Sequence, residues 1–467
     1  MTAVVWLRRD LRRDDLPTLG TAAEAAPDGV AVVFVVDPQF FDPAGPARQA
    51  WLARNLLALR EAYEGRLHLL HGNPVDLIPA LVQRIGAGSV HVSTETEPAG
   101  VARDIRVRTA LAEGGVAWVE TGSPYAVTPG RIRNKQGDPF QVFTPFSRAW
   151  RDHGWRAPAT EPDGLRLLEI DGDEDAWSLI DAAAQTEGPA TMPDAGEQGA
   201  AERWEHVLEH ILDGYAEHRD RPDLDATSMM SPYLALGVVH PRTLLADLSA
   251  RGGKGAVKLE TELGWREFYA DVLHHHPDSI DHDLKPALHA LPYDDDPEAL
   301  EAWQLGRTGY PFVDAGMRQL LATGWMHNRV RMNVASFLTK DLHQWWPVGA
   351  AWFERHLLDA DVASNAHGWQ WTAGTGTDAS PYFRVFNPVL QGLKFDPGGA
   401  YVRRWVPELA TLPDNFIHRP WEAPAAVLGA AGVEPGRTYP RPIVEFRASR
   451  QAALDGYARV RDPARPG

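Results

Sequence analysis

The chain of 467 residues contains no cysteine. That absence excludes disulfide frameworks, thiol nucleophiles and iron–sulfur clusters. Long apolar runs are missing too. The N-terminus, Met1-Thr-Ala-Val-Val-Trp-Leu-Arg-Arg, has no stretch long enough for a signal peptide or membrane span, and none follows, so a cytoplasmic protein without a membrane partner is expected. No Gly-x-Gly-x-x-Gly follows the first apolar strand pattern. Arg8-Arg-Asp-Leu-Arg-Arg-Asp-Asp15 stands there instead, which removes the main support for a nicotinamide dinucleotide site. Gly252-Gly-Lys254-Gly255 lacks the upstream glycine spacing and the hydroxyl residue of a P-loop. His274-His275-His276 point about 100° apart on a helix and cannot converge on one ion. Positive charge is in deficit: 46 Lys and Arg against 63 Asp and Glu give a formal charge of −17. This argues at first sight against a polyanionic partner, although distribution decides nucleic-acid binding more than total.

What the chain has in excess is tryptophan, 17 in all. Its densest stretch of chemistry runs from Tyr310 to Asn387. It holds Tyr310-Pro-Phe-Val-Asp314, Trp325-Met-His-Asn-Arg-Val-Arg-Met332, Asp359-Ala-Asp361, Asn365-Ala-His-Gly-Trp369-Gln-Trp371 and Pro381-Tyr-Phe-Arg384-Val-Phe-Asn387. Charged groups among large aromatics must be paired or bound to a ligand, because burying them bare is costly. This stretch reads as a site.

The first quarter alternates strand and helix patterns. Strands are expected at Ala3–Leu7, Val30–Val36, Leu67–Leu70, Val90–Val92 and Val116–Val119, with helices at Trp51–Glu64, Pro74–Ile85 and Val101–Glu113. Continuous apolar strands between helices imply a parallel, doubly wound α/β sheet. From Thr160 to Ala200 the chain turns acidic and rich in Gly, Pro and Ala, which reads as a long surface connection. Beyond Arg203 helical periodicity dominates, at 205–215, 241–249, 257–274, 313–323, 329–342 and 351–358. The expected organisation is an α/β domain over 1–135, a linker over 136–200 and an all-helical domain over 201–467.

Several groups carry open alternatives. Thr227-Ser228-Met229-Met230-Ser231 before a helix is either a plain N-cap or a phosphate site. Glu262, Trp265 and Arg266 share a helical face and suit either intrahelical pairing or base recognition. Trp303, Trp346 and Trp369 are either packing or an aligned set. Arg331 with Asp359 and Asp361 is either a structural ion network or a clamp on a heterocycle.

Taken together, Gly309-Tyr-Pro-Phe-Val-Asp-Ala-Gly-Met-Arg318, Trp325–Asp341, Gly368-Trp-Gln-Trp-Thr-Ala-Gly-Thr-Gly-Thr-Asp378, Trp6-Leu-Arg-Arg-Asp-Leu-Arg12 and Val142-Phe-Thr-Pro-Phe146 closely resemble the photolyase/cryptochrome family, and within it the class I cyclobutane pyrimidine dimer photolyases. The resemblance spans the chain and weakens only in the linker. It implies an antenna domain followed by a helical domain holding a U-shaped FAD, in a monomer acting on UV-damaged DNA that contains pyrimidine dimers. Tyr215 and Thr227 to Ser231 would hold the phosphates and ribityl region. Arg266, Asn328, Arg331, Asp359, Ala360 and Asp361 would line the flavin site, and Asn365 would face N5. Trp369, Trp346 and Trp303 would relay electrons from the surface. DNA would be met by Glu262, Trp265, Asn328, Arg329, Met332, Trp371, Arg384 and Gln391, with Arg219 at the backbone.

In this family, reduced FAD excited by blue light passes an electron to a flipped-out dimer. Extruding a damaged base costs a few kcal/mol, and Trp265 and Trp371 can each return about 1–3 kcal/mol by stacking. Arg219, Arg329, Arg384, Arg403 and Arg404 are expected to cluster at the opening, reconciling the acidic total with DNA. A (6-4) photolyase would carry histidines at Asn328 and Met332. A signalling cryptochrome fits poorly with Asn365, the intact base-side set and the short C-terminus. An ordinary flavin oxidoreductase would need a nicotinamide site that is not visible. For the antenna, Ala99-Gly100 departs from the Asn-Glu of folate-binding members, and Pro43 stands for a folate-side histidine. Glu95-Thr-Glu97-Pro98 with Arg103-Asp104 looks more like 8-hydroxy-5-deazaflavin members, despite Ser93 in place of an Asn. Deazaflavin is expected, with methenyltetrahydrofolate or an empty pocket as alternatives.

Overall fold

A computed structural model describes residues 1–186, 192–378 and 384–461. The Pro381–Phe383 part of the tryptophan-rich stretch lies outside them. Five parallel strands, β1 (Thr2–Leu7), β2 (Gly29–Val36), β3 (Leu67–His71), β4 (Ala87–Val92) and β5 (Ala117–Glu120), form one sheet in the order β3-β2-β1-β4-β5. The strands begin and end within a few residues of the apolar runs that announced them. β2 is buried along its whole length, which explains its unbroken valines. Of the helices, Pro74–Ile85 matches its expected limits. Trp51–Glu64 becomes Pro46–Ala62, and Val101–Glu113 begins at Pro98. Proline in the first turn sets each start, since its missing N–H would be unpaired there anyway.

The connection from Thr160 to Ala200 is not an open surface stretch. It carries the helix Glu174–Gln185, capped by Asp173 through a 3.0 Å bond from Ala176 N–H, and the start of Gly196–His206. Ala176, Ile180 and Ala183 are buried against the 46–62 helix. Arg166–Leu168 pairs with Val30 at the sheet, so this segment is built into the α/β half.

The C-terminal half is helical. Its central member is Gly253–His275, one continuous helix of 23 residues. Ser231–Leu236, Asn328–Ser336, Trp346–His356 and Val362–Ala373 surround it or its neighbours. One face of the sheet shares a core with this half, running from Val5 and Leu7 through Trp51 and Tyr233 to Phe268. A second helical core gathers Trp303, Phe337, Trp346 and Trp369.

The seam between the halves is polar and buried. Arg8–Asp15, where a nucleotide fingerprint was missing, leaves β1 and docks on Ser231–Leu236: Leu11 N–H donates to Leu236 O at 3.1 Å and Arg12 Nη1 to Gly237 O at 3.0 Å. Gly237 ends that helix at φ +67°, and a Cβ there would run into the Arg9 carbonyl. Farther along, Glu267 accepts from Ala126 N–H (2.8 Å), Val127 N–H (3.0 Å) and Trp150 Nε1 (3.3 Å). Glu267→Ala would leave three buried donors unpaired, an expected loss of roughly 3–5 kcal/mol. A thermal-unfolding midpoint lowered by several degrees, and lowered less in Glu267→Gln, checks this.

Candidate FAD and DNA site

A cavity of about 520 Å³ opens between the 253–275 helix, the loop before Ser231, the 328–336 helix and the 359–373 segment. That size suits a large organic ligand. Tyr215, Thr227 to Ser231, Glu262, Trp265, Arg266, Asn328, Arg329, Arg331, Met332, Asp359 to Asp361, Asn365, Trp369 and Trp371 all line it, so residues scattered over more than 150 positions meet as expected.

The inner wall is an ion-pair frame. Arg331 Nη2 reaches both Asp359 oxygens, at 3.0 and 2.8 Å, while its Nε donates to Met326 O at 2.7 Å. Asp359 also accepts from Ser231 Oγ at 2.6 Å, tying the hydroxyl loop to the aspartate. That loop is held open by Met229 at φ +55° and pinned by Arg203, which donates to Thr227 O and Ser228 O. Asp361 caps the Val362–Ala373 helix through Ser364 N–H. Its other oxygen takes Arg9 Nη2 at 2.5 Å. Burial pushes this carboxyl up, yet Arg9 and Arg266 outweigh it and hold the group well below the usual carboxylate range. Asn365 Nδ2 donates to Ala350 O at 2.9 Å, which fixes the amide and turns its oxygen to the cavity.

The mouth holds the base-side set. Trp265 stacks on Phe143 at 3.8 Å between centroids and 10° between planes, so one face is taken by the protein and the other remains for a ring. Glu262 Oε1 lies 2.5 Å from Arg219 and 3.0 Å from Lys258. Arg329 meets Asp220 at 2.9 Å and lies over the Phe395 ring. His327 caps the 328–336 helix by accepting from Arg329 N–H at 3.1 Å, and burial holds its imidazole down to about 4. A group depressed from 6.5 in the folded state is neutral there while the unfolded chain protonates. Its contribution is therefore present above pH 6.5 and lost as pH falls towards 4. His327→Asn keeps a capping oxygen without the titration, so the drop in melting temperature between pH 7 and pH 5 is expected to shrink in that variant.

Some expectations are corrected. Arg266 lines the cavity with Glu262 and Trp265, but its guanidinium is engaged elsewhere. It turns to the seam, donating to Pro124 O and Leu234 O and covering the Tyr125 ring. Arg403 and Arg404 do not line the cavity: Arg403 clamps its own loop through Ala410 O, Leu412 O and Asp414, and Arg404 lies over Trp405. Arg384 and Gln391 lie outside the cavity wall, with Arg384 exposed. Trp369 lines the cavity and Trp303 sits 6.0 Å from it, but Trp303 and Trp346 are both 0% exposed. The three alone do not reach the surface. Trp345 is 38% exposed and 6.3 Å from the Tyr293 ring. Sequence reasoning gave no site role to Arg9, Lys258, Asp220 or Phe143, although Arg9 and Phe143 lie inside the quoted motifs and Asp220 follows Arg219.

The antenna candidates cluster after β1 and β4, the point where strand order reverses. There they bond one another: Arg8 with Asp104, Arg103 with Glu95 and Asp104, and Ser93 Oγ with Asp10. Arg9 bridges Glu97 and Asp361.

The donor set fits FAD. Hydroxyls at one end suit phosphate and sugar, while an amide oxygen, a guanidinium and two carboxylates at the other suit the polar edge of a flavin. Comparison with known proteins agrees. Residues 3–163 match the family described as DNA photolyase, and 259–459 match the FAD binding domain of DNA photolyase. A deoxyribodipyrimidine photo-lyase of Agrobacterium fabrum is 39% identical over 98% of both chains. The crystal structure of a bacterial class III photolyase from Agrobacterium tumefaciens superposes with a TM-score of 0.91 at 38% identity, over 99% of this chain and 98% of that one. A Synechocystis cryptochrome gives 0.88 at 29%, over 97% and 98%. The chain belongs to the photolyase/cryptochrome family, among its deoxyribodipyrimidine photo-lyases.

Proposed function

We propose that this protein repairs UV-damaged DNA in light, splitting cyclobutane pyrimidine dimers that flip into the cavity. The observation that carries the reading is the juxtaposition of the Arg331–Asp359 frame with a mouth formed by Trp265, Trp371, Met332 and Glu262. Bound reduced FAD, excited by blue light, supplies the electron that opens the cyclobutane ring and takes it back. The chain does the rest. Arg331, Asp359, Asp361 and the Thr227–Ser231 loop would hold the cofactor, and the Asn365 amide would accept from its N5–H. Trp265 and Trp371 stack on the extruded pyrimidines, and Met332 offers a polarizable contact. Glu262 steadies the pyrimidine edge. Trp369 hands electrons inward, with Trp345 as the exposed outer end in place of Trp303.

The motifs point to class I, while the Agrobacterium protein of known structure is a class III photolyase, so our proposal extends to the dimer-splitting chemistry and leaves the class to the antenna. For the antenna we propose 8-hydroxy-5-deazaflavin over methenyltetrahydrofolate. A Cβ on Gly100 would lie 2.5 Å from the Glu95 carboxyl, so a folate-type glutamate there would need Glu95 to leave its pair with Arg103. The test uses photoreduced protein with a thymine-dimer oligonucleotide under blue light. Recovery of the thymine absorbance only in light supports repair, and an action spectrum following the deazaflavin band identifies the antenna. Photoreduction of FAD without dimer splitting would favour the cryptochrome reading.

A further inference from the structure

Every cation at the cavity mouth already has a carboxylate. Glu262 neutralises Arg219 and Lys258, and Asp220 neutralises Arg329. The second pair has a feature the first lacks. Glu262 lines the cavity beside Trp265, whereas the ion-pair partners of Asp220 among the described residues are both arginines, Arg329 at 2.9 Å and Arg219 at 3.9 Å, and its charge also acts on the buried His327 imidazole. Arg329 is meanwhile held ready for an outside acceptor. Its plane is fixed over Phe395, its Nη1 lies 3.6 Å from Met332 Sδ, and its buried Nε has no acceptor among the described residues.

We propose that Asp220 sets the salt dependence of DNA binding at the mouth, a built-in competitor that occupies Arg329 in place of a DNA phosphate. The inference rests on the repair reading. A phosphate on undamaged duplex must displace the Asp220 carboxylate and gains little net charge interaction, because an exchange of one anion for another releases fewer counterions than neutralising a free arginine. A lesion offers more: once extruded, its pyrimidines stack on Trp265 and Trp371, and that energy is available only to DNA that opens easily. On a chain of net charge −17, such pairing keeps the mouth almost neutral until a lesion enters.

The experiment measures binding of holoprotein to matched duplexes with and without one thymine dimer, as a function of salt, for wild type, Asp220→Asn, Arg329→Gln and the double variant. Freeing Arg329 is expected to steepen the log K against log salt line for undamaged duplex by about 0.9. Affinity of Asp220→Asn then falls about 3.5-fold more than wild type between 50 and 200 mM salt. At 50 mM it binds undamaged and damaged duplex alike about threefold tighter, so the damaged-to-undamaged ratio stays about the same. In the Arg329→Gln background the Asp220→Asn change is expected to have no effect on slope. Equal slopes for wild type and Asp220→Asn would overturn the proposal. So would weaker binding by Asp220→Asn, which would make Asp220 a support for Arg329, or an unchanged shift in the Arg329→Gln background, which would make it a general charge effect. If wild type fails to distinguish the duplexes at all, the repair reading itself falls.

Discussion

Trp369→Phe is expected to all but abolish light-driven reduction of bound FAD while leaving the cofactor in place. Trp369 is the member of the tryptophan set that touches the cavity, packed against Phe353 at 5.0 Å and Trp303 at 6.0 Å. A phenyl ring fills much of the same space but gives up an electron far less readily. Raising that step by only about 2.7 kcal/mol slows it about 100-fold. The measurement is the loss of oxidised-flavin absorbance under blue light with an external reductant. Protein reduced chemically beforehand should split dimers at the normal rate, because the relay lies upstream of repair. Trp345→Phe should slow resupply less, since an exposed end can be replaced by neighbours such as Tyr293. Normal photoreduction in Trp369→Phe would show that electrons enter by another route.

Glu262→Ala should lower the repair rate at saturating damaged DNA by roughly 10–150-fold, the equivalent of losing one charge-assisted hydrogen bond worth about 1.5–3 kcal/mol. FAD content should not change. The ion pairs around Glu262 add a second signature. Removing the carboxylate frees Arg219 and Lys258, so binding to any duplex should become tighter at low salt and more salt-sensitive even as repair slows. A variant that binds better and repairs worse separates a role at the base from a role in holding DNA. Unchanged repair would remove Glu262 from the base-side assignment.

The strands were legible through short apolar runs, unbroken in β2 and interrupted by His68 and His91 in β3 and β4. The 174–185 helix was not, because its buried side is two alanines and one isoleucine set in an acidic stretch. The cavity wall was legible through the family motifs, which keep chemistry-bearing residues in dense blocks. Directions of side chains were not. Helical spacing places Arg266 beside Glu262 and Trp265, but spacing cannot show that backbone carbonyls at Pro124 and Leu234 draw its guanidinium away. Arg403 misled for a related reason: a charge count does not reveal that a cation is already spent on its own loop. Arg9 was beyond reach, since its partner Asp361 lies 352 positions away and nothing local hints at the pair.

That pair has a consequence for how the chain can be assembled and recombined. Arg9 leaves the ribosome 352 residues before Asp361. Arg266 faces this carboxylate from within the helical half, but the Arg9 charge reaches it only when the two halves close on each other. A chimera that grafts the α/β half of a relative onto this helical half would change the electrostatics of the pocket without altering one residue that lines it. The halves are separate in architecture, yet they cannot be exchanged as independent parts.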